Sequence, residues 1–567
     1  MAFSKQQLVG VIRDALHELG VSDVSFSVEQ PQELTHGDYA TNVALIACKQ
    51  LNTSPKECAE KIVAVLKKGE AIKDVHIAGP GFINFFLNDG TVRDINKQTI
   101  EKLETKYTGK NILVEHSSLN LFKPFTIGHL VNNFIGEFTV RATKEGGAHV
   151  NVMSFPSDVS LGIAKAVYVI KRDGGLSNNP IINTFTEPIA YYGEAYRRGV
   201  ILYDEHPEVQ EEVKKISDDI YNFKNTEETE IYNFAKEENI KYFFDVLEKL
   251  GSHFDDVTYE GEAGHVGTKI VQENTGNVFT KSEGAIVYVP DEGRKDLHTA
   301  VFINSEGHPT YEAKDIGLIE IKFKKFNPDC SLFVTDSEQI SHFKIVLDAT
   351  SKINDEWKFR VEKSKHIPHG RMLFKGQKMS SRLGGVPLAL DVIGVVEEEV
   401  RERAGEKIAH LEIEDKKKLE REIALSALRI AVLRSKPGLN INFDPESSLS
   451  FEGDSGPYLL YTHARCASLL EKGNLEPRFG LYDATPLERE MVHAEELFVK
   501  AIEDLAPQQL VTYLFSVSQS FNSWYAQEQL ITDDKEKTAH NLAIVARVKN
   551  ILGRGLYILG IEAPERM

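Results

Sequence analysis

The chain is poor in cysteine and in long apolar runs. Of its 567 residues four are cysteine (Cys48, Cys58, Cys330 and Cys466), none in a CxxC pair, which excludes a disulfide framework and a zinc knuckle. The most apolar stretches, such as Pro387 to Val396, are short and interrupted by Asp391, far from the roughly 18 apolar residues a membrane span needs. The opening MAFSKQQLVGVIRDALHEL reads as an amphipathic helix without the apolar core of a signal peptide. Positive charge is also scarce: 66 Lys and Arg face 85 Asp and Glu, a net −19, which is unpromising for a partner made of phosphates. What is present is ordinary for a folded protein, with 41% hydrophobic and 27% charged residues, so a mainly disordered chain is excluded. The length implies three or four domains. A cytoplasmic, reduced, multidomain protein without a membrane span is the expectation.

The charge deficit is local. Residues 194–260 hold about 18 Asp and Glu against about 8 Lys and Arg, roughly half of the whole imbalance. The runs DEHPEVQEEVKKISDDI and TEETEIYNFAKEEN read as solvated helices of an insertion.

Three units follow from the patterning. In residues 1–108 a helix (Lys5 to Leu19), a strand (Val24 to Val28), a helix from Tyr39 and another from Pro55 to Lys68 precede strands at Val75–Ile77 and Phe82–Leu87, a small α+β module. In residues 109–414 the strand Asn111–Glu115 leads through a loop into a helix with Ile127, Leu130, Val131, Phe134, Ile135 and Phe138 at helical spacing. That helix stops at Gly146-Gly147, and the strand His149–Met153 follows. This βαβ unit predicts a parallel sheet with its ligand at the carboxyl ends of the strands. The sheet is expected to resume at Ala300–Asn304, Ser331–Asp336 and Arg371–Phe374, after a helical acidic insertion at about 165–285. Residues 415–567 predict an all-α bundle of five helices, Lys416–Arg434, Tyr458–Glu471, Pro486–Leu505, Pro507–Tyr525 and Ala539–Leu559.

Two motifs carry chemistry. LNLFKPFTIGHL places Lys123, Thr126, Gly128 and His129 between a strand end and a helix start, where free N–H groups and the helix dipole favour a phosphate. FKGQKMSSRLGGV, about 250 residues downstream, places Lys378, Met379, Ser380, Ser381 and Arg382 in a loop between glycines, with charge and donors suited to a triphosphate.

Together these segments resemble the HIGH and KMSKS signatures of class I aminoacyl-tRNA synthetases, and their flanks resemble the arginyl-tRNA synthetase family. VEHSSLNLFKPFTIGHL, SEGHPTYEAKDIG and VTDSEQISHF are similar to its catalytic segments. HGDYATNVAL and GPGFINFF are similar to its N-terminal domain, and LSFEGDSGPYLLYTHAR and PERM to its C-terminal domain. The resemblance covers nearly the whole chain. It implies a multidomain α/β protein: a split Rossmann-type parallel-sheet catalytic domain with an insertion, a small α+β domain for the D-loop of tRNA, and an α-helical anticodon-binding domain. The implied activity is ATP-dependent activation of L-arginine and its transfer to the 3′-terminal adenosine of tRNA(Arg), with activation requiring bound tRNA. Magnesium comes with the ATP, no dedicated metal site is implied, and the chain is expected to act as a monomer. Two other readings fit parts of the chain: a catalytically silent relative that binds tRNA, and a smaller nucleotidyl transferase.

A guanidinium is planar and permanently charged and calls for carboxylates. The resemblance assigns Glu115, Ser118, Asn120, Tyr311, Asp315 and Gln339 to arginine. To ATP it assigns Gly128, His129, His342, Lys378, Met379, Ser380 and Ser381. His129, Lys378, Lys123, Thr126 and Arg382 are its catalytic set. Phe82 and Asn84 are implied to meet the D-loop, and Tyr461, His463, Arg465, Trp524 and Tyr525 offer aromatic and basic groups to anticodon bases. The chain departs from the family where Thr126 replaces the first His of HIGH, where Ser381 replaces the second Lys of KMSKS with Lys123 as the implied compensation, and in MSFPSDVSLG. The acidic balance requires a local positive track for tRNA across the three units.

Overall fold

The computed structural model of the protein describes residues 3–31, 33–67, 69–100, 103–175, 188–374, 388–404 and 412–567. Its N-terminal unit is an antiparallel sheet of β1 (Val28–Glu29), β2 (Tyr39–Thr41), β3 (Ile72–Ala78) and β4 (Phe82–Leu87) in the order β1-β2-β4-β3. Helices Lys5–Glu18, Val43–Leu51 and Pro55–Val65 complete it. The helix expected from Tyr39 begins only at Val43, because Tyr39 and Thr41 pair with Phe85 and Ile83 as a strand. The early strand is likewise cut to Val28–Glu29.

The central unit is built on β5 (Asn111–Glu115), β6 (His149–Ser154), β7 (Asp256–Val257), β11 (Cys330–Asp336) and β12 (Ser364–His369). They form a parallel sheet in the order β12-β11-β5-β6-β7. β5 is central, and Ile112, Leu113 and Val114 are fully buried, as both covered faces of a parallel sheet require. Helix Ile127–Glu145 returns from β5 to β6.

Two expected strands lie elsewhere. β10 (Ala300–Ile303) joins a separate antiparallel sheet with β8 (Phe279–Ser282) and β9 (Ala285–Tyr288). Among the described residues β13 (Met372–Phe374) pairs only with β14 (Ile441–Phe443). Their places in the main sheet fall to two edge strands. β7 has two residues, and β12, SKHIPH, is polar and contains Pro368, a composition tolerated only at an edge.

Helices Leu161–Arg172, Pro188–Glu205, Pro207–Tyr221 and Glu227–Lys249 lie between β6 and β7. Their inner stripes bury Val209, Val213, Ile216, Ile231, Phe243 and Leu247 in the core that also contains β5 and helix Ile127–Glu145. The acidic runs are therefore the outer faces of a built-in layer. After β7, helices Glu260–Glu273 and Tyr311–Phe326 cross closely through small residues. A Cβ on Gly267 would lie 1.8 Å from the Ala313 carbonyl oxygen, and one on Gly317 would lie 1.9 Å from that of Ala263.

The C-terminal unit is built mainly from helices Ile413–Leu433, Gly456–Gly473, Pro486–Met491, Ala494–Asp504, Pro507–Gln527 and Lys535–Ile558, with β14 and the short helix Pro445–Ser448 between the first two. The single helix expected at Pro486–Leu505 is broken at Val492-His493, where the N-terminal unit docks. Val492 enters that unit's core, the His493 ring meets Tyr39 edge-on at 4.8 Å, and Tyr39 donates to Glu496 at 2.8 Å. Arg489 reaches buried Asp38 at 2.9 Å and Asp89 at 2.6 Å.

Candidate active site

The carboxyl ends of β5 and β11 open into a cavity of about 590 Å³. Glu115, Ser118, Asn120, Tyr311, Asp315 and Gln339 all line it, as do Thr126, Gly128, His129 and His342. Residues from four stretches, 115–120, 126–129, 311–315 and 339–342, each singled out for chemistry, thus meet in one place.

The helix start is a capping arrangement. The backbone N–H of Thr126 donates to His129 Nδ1 at 3.1 Å, which requires that nitrogen to be unprotonated. Burial, with Lys123 and His369 nearby, lowers the His129 pKa to about 4. The ring is therefore neutral with its proton on Nε2, a fixed hydrogen-bond donor. A backbone group thus sets the tautomer, whatever side chain position 126 carries, proline apart. Lys123 does not line the cavity; its ammonium lies 4.9 Å from the Tyr196 ring.

The loop after β5 is held in an uncommon conformation. Ser117 and Phe122 have φ of 53° and 60°, costly for residues other than glycine. Both amides are satisfied by side chains: Ser117 N–H donates to Asn132 at 2.6 Å and Phe122 N–H to buried Asn239 at 2.9 Å. Asn239 belongs to the acidic helical layer, which therefore shapes the site. The same layer holds the segment MSFPSDVSLG. Asp158 is 2% exposed and accepts from Lys236 at 2.5 Å, Tyr232 at 3.2 Å and the Gly261 amide at 2.9 Å. It ties helix Glu227–Lys249 to the start of helix Glu260–Glu273.

The acidic side of the cavity is a set of pairs. Glu115 Oε2 accepts from the buried Lys322 ammonium, and Ser118 Oγ lies 3.4 Å from Oε1. Glu260 is paired with buried Lys314 at 2.7 Å. Asp315 meets His342 Nε2 at 2.5 Å, and Glu312 lies 3.5 Å from Nδ1. Burial opposes charge on His342, but these two carboxylates outweigh it and raise its pKa to about 10. His342, which the resemblance assigns to ATP, is thus bonded directly to Asp315, which it assigns to arginine. Glu260, Lys314, Lys322, Asn132 and Asn239 escaped the sequence reading. Only the helical spacing of Tyr311, Asp315 and Lys322 could have pointed to one of them.

Lys378, Met379, Ser380, Ser381 and Arg382 lie outside the described residues. Phe82 is 40% exposed, whereas Asn84 is 5% exposed. The Arg465 guanidinium sits between the Tyr461 and Tyr525 rings, 4.7 and 4.8 Å from their centroids, and bonds to Asn522. Trp524 is half-buried beside Phe521. His463 is buried and bonded to the Pro564 carbonyl at 3.0 Å, so it anchors the C-terminal segment. Among the described residues no cluster of three or more His, Cys, Asp or Glu could hold a metal, and no helix is long and apolar enough to cross a membrane.

A parallel sheet with a polar cavity at its carboxyl ends, entered by a helix N-terminus bearing Thr-Ile-Gly-His, is the arrangement that the resemblance to class I aminoacyl-tRNA synthetases implies, and the chain matches that class's catalytic domain. Sequence and fold comparisons narrow the class. The catalytic-domain model of the class I tRNA synthetases for arginine matches residues 92–444, the arginyl tRNA synthetase N-terminal domain matches 6–87, and the DALR anticodon binding domain matches 459–567. The chain belongs to the arginyl-tRNA synthetase family. It is 27% identical to an arginine–tRNA ligase of Exiguobacterium over 100% of both chains, and 28% identical to arginine–tRNA ligase 2 of Bacillus anthracis over 97% of both. Its fold matches Thermus thermophilus arginyl-tRNA synthetase with a TM-score of 0.80 at 24% identity over 100% of both chains. The Plasmodium falciparum enzyme matches at 0.79 and 16% identity, also over 100% of both.

Proposed function

We propose that this protein is an arginine–tRNA ligase whose substrate amino acid lies in the cavity between β5 and helix Tyr311–Phe326. The observation that carries this reading is the convergence of Glu115 and Asp315 on one cavity with the helix start of His129. The guanidinium is held by the two carboxylates, with Tyr311, Ser118, Asn120 and Gln339 orienting the rest of arginine. ATP takes the helix N-terminus, where His129 Nε2–H and the free amides meet its phosphates. By sequence, Lys378, Met379, Ser380, Ser381 and Arg382 complete the phosphate contacts, Lys123 adds charge, and magnesium arrives with the nucleotide.

An arginine carboxylate oxygen attacks the α-phosphorus, the bond to the β-phosphate breaks, and pyrophosphate leaves. The 2′-hydroxyl of the terminal adenosine then attacks the carbonyl carbon and AMP leaves. The protein contributes position and charge stabilisation. Residues 1–108 hold the D-loop, with Phe82 as the exposed contact. Residues 415–567 read the anticodon through Tyr461, Arg465, Trp524 and Tyr525, and residues 109–414 carry the chemistry. The enzyme works as a cytoplasmic monomer. Labelled arginine, ATP and tRNA incubated with the purified chain are expected to give acid-insoluble arginyl-tRNA; none at saturating tRNA would overturn the assignment.

A further inference from the structure

Glu115 faces the cavity, yet one of its two oxygens is already taken by a lysine behind it. Lys322 is 4% exposed. Its ammonium bonds Glu115 Oε2 and lies 5.3 Å from the Phe333 ring centroid. It does not line the large cavity. It lines a separate void of about 20 Å³ bounded also by Glu115, Asp315, Phe333 and Phe343.

Tyr311, Asp315 and Lys322 fall at positions i, i+4 and i+11 of helix Tyr311–Phe326, hence on one face. One helix face therefore brings a carboxylate to the cavity and, two turns on, the cation that grips the opposite carboxylate. Three pairings set the charge at this end of the cavity. Lys322 offsets Glu115, Lys314 offsets Glu260, and His342 stands between Asp315 and Glu312. The sum of these groups is one net negative charge, matched to one cation.

We propose that Lys322 is a positioning residue for substrate recognition: it anchors Glu115 Oε2, leaves Oε1 as the oxygen offered to the guanidinium, and keeps this end of the cavity at one net negative charge. Without it Glu115 would be buried with no resident cation, free to turn or take up a proton. This inference rests on the reading of the cavity as the arginine site.

The test measures arginine- and tRNA-dependent pyrophosphate exchange for the full chain and for Lys322→Met, Lys322→Arg, Glu115→Gln and the double variant Lys322→Met/Glu115→Gln. Glu115→Gln reports on the site reading alone: an unchanged KM for arginine would remove the cavity reading and this inference with it. If Glu115→Gln raises that KM, Lys322→Met is expected to raise it about tenfold or more, the scale of one charged hydrogen bond. Its KM for ATP and its kcat should stay within about threefold, a change below one ordinary hydrogen bond. Lys322→Arg should recover most of the loss. The double variant should be no worse than Glu115→Gln, because Lys322 acts through Glu115. Multiplying effects in the double variant, an arginine variant no better than methionine, or a parallel loss in both substrates would overturn the inference. If Lys322→Met does not fold, the double variant, with neither member of this pair left charged, and Lys322→Arg still decide it.

Discussion

Replacing Asp315 by asparagine changes charge at nearly constant shape. In the intact site Asp315 and Glu312 flank a histidine that stays protonated to a pKa of about 10. Removing the Asp315 charge takes this end of the cavity from one net negative charge to none. A hydrogen bond to a charged group contributes about 1.5–3 kcal/mol, so arginine binding should weaken by about 10- to 150-fold. His342 also loses the nearer of its two carboxylates. Its pKa should fall, and arginine affinity in the variant should become pH-dependent: weaker where His342 is protonated and stronger above its new pKa. In the native enzyme His342 stays protonated throughout the neutral range and contributes no such dependence there. The assay is pyrophosphate exchange at saturating tRNA, with tRNA binding measured separately. A KM for arginine within about threefold of the native value, less than one hydrogen bond, would refute the placement of Asp315 against the guanidinium.

Four further outcomes are expected. Gly317→Ala forces a Cβ to 1.9 Å from the Ala263 carbonyl oxygen, so the helices must separate; denaturant unfolding should show a loss of about 1–3 kcal/mol or more, and an unchanged midpoint would contradict the close crossing. Thr126→Ala keeps the backbone donor that fixes His129 and should retain activity within about tenfold, a hydrogen bond's worth, whereas Thr126→Pro removes that donor and should lower kcat well below it; equal rates would mean the tautomer is not fixed there. Burial depresses His116 and His493 to a pKa of about 4 each. The unfolded chain therefore binds more protons between pH 4 and 6.5, and stability should fall by about 2 kcal/mol per histidine from pH 7 to 5; His493→Gln should flatten that slope in urea titrations. Phe82→Ala should leave thermal stability nearly unchanged, since Phe82 is 40% exposed, while weakening tRNA by about 1–3 kcal/mol; a filter-binding constant equal to native would remove Phe82 from the interface.

The fold was legible where hydrophobic periodicity is strong. β5, its following helix and the C-terminal helices have continuous or 3.6-residue apolar patterns, and they lie close to where the patterns predict. β7 and β12 escaped because a two-residue strand and a polar strand containing proline carry no such pattern. β10 was recognised as a strand but assigned to the wrong sheet, since a single strand's sequence does not name its partner. At the site, the cavity-lining residues Glu115, Asn120, His129, Tyr311 and Asp315 belong to readable motifs. The pairings that hold them are not legible there, even for Lys314, which lies inside SEGHPTYEAKDIG. Lys322, Lys314, Glu260 and Asn239 act through partners 54 to 207 positions away. The acidic layer shows the same limit: its charge is legible, whereas its grip on Phe122 and Asp158 exists only in three dimensions.

The central claim is tested most directly by pyrophosphate exchange across a panel of amino acids, with and without tRNA. The account predicts exchange with arginine, in the presence of tRNA, and little with lysine, whose ammonium cannot span two carboxylates as a planar fork does. No exchange with arginine at saturating tRNA, or equal exchange with lysine, would contradict it.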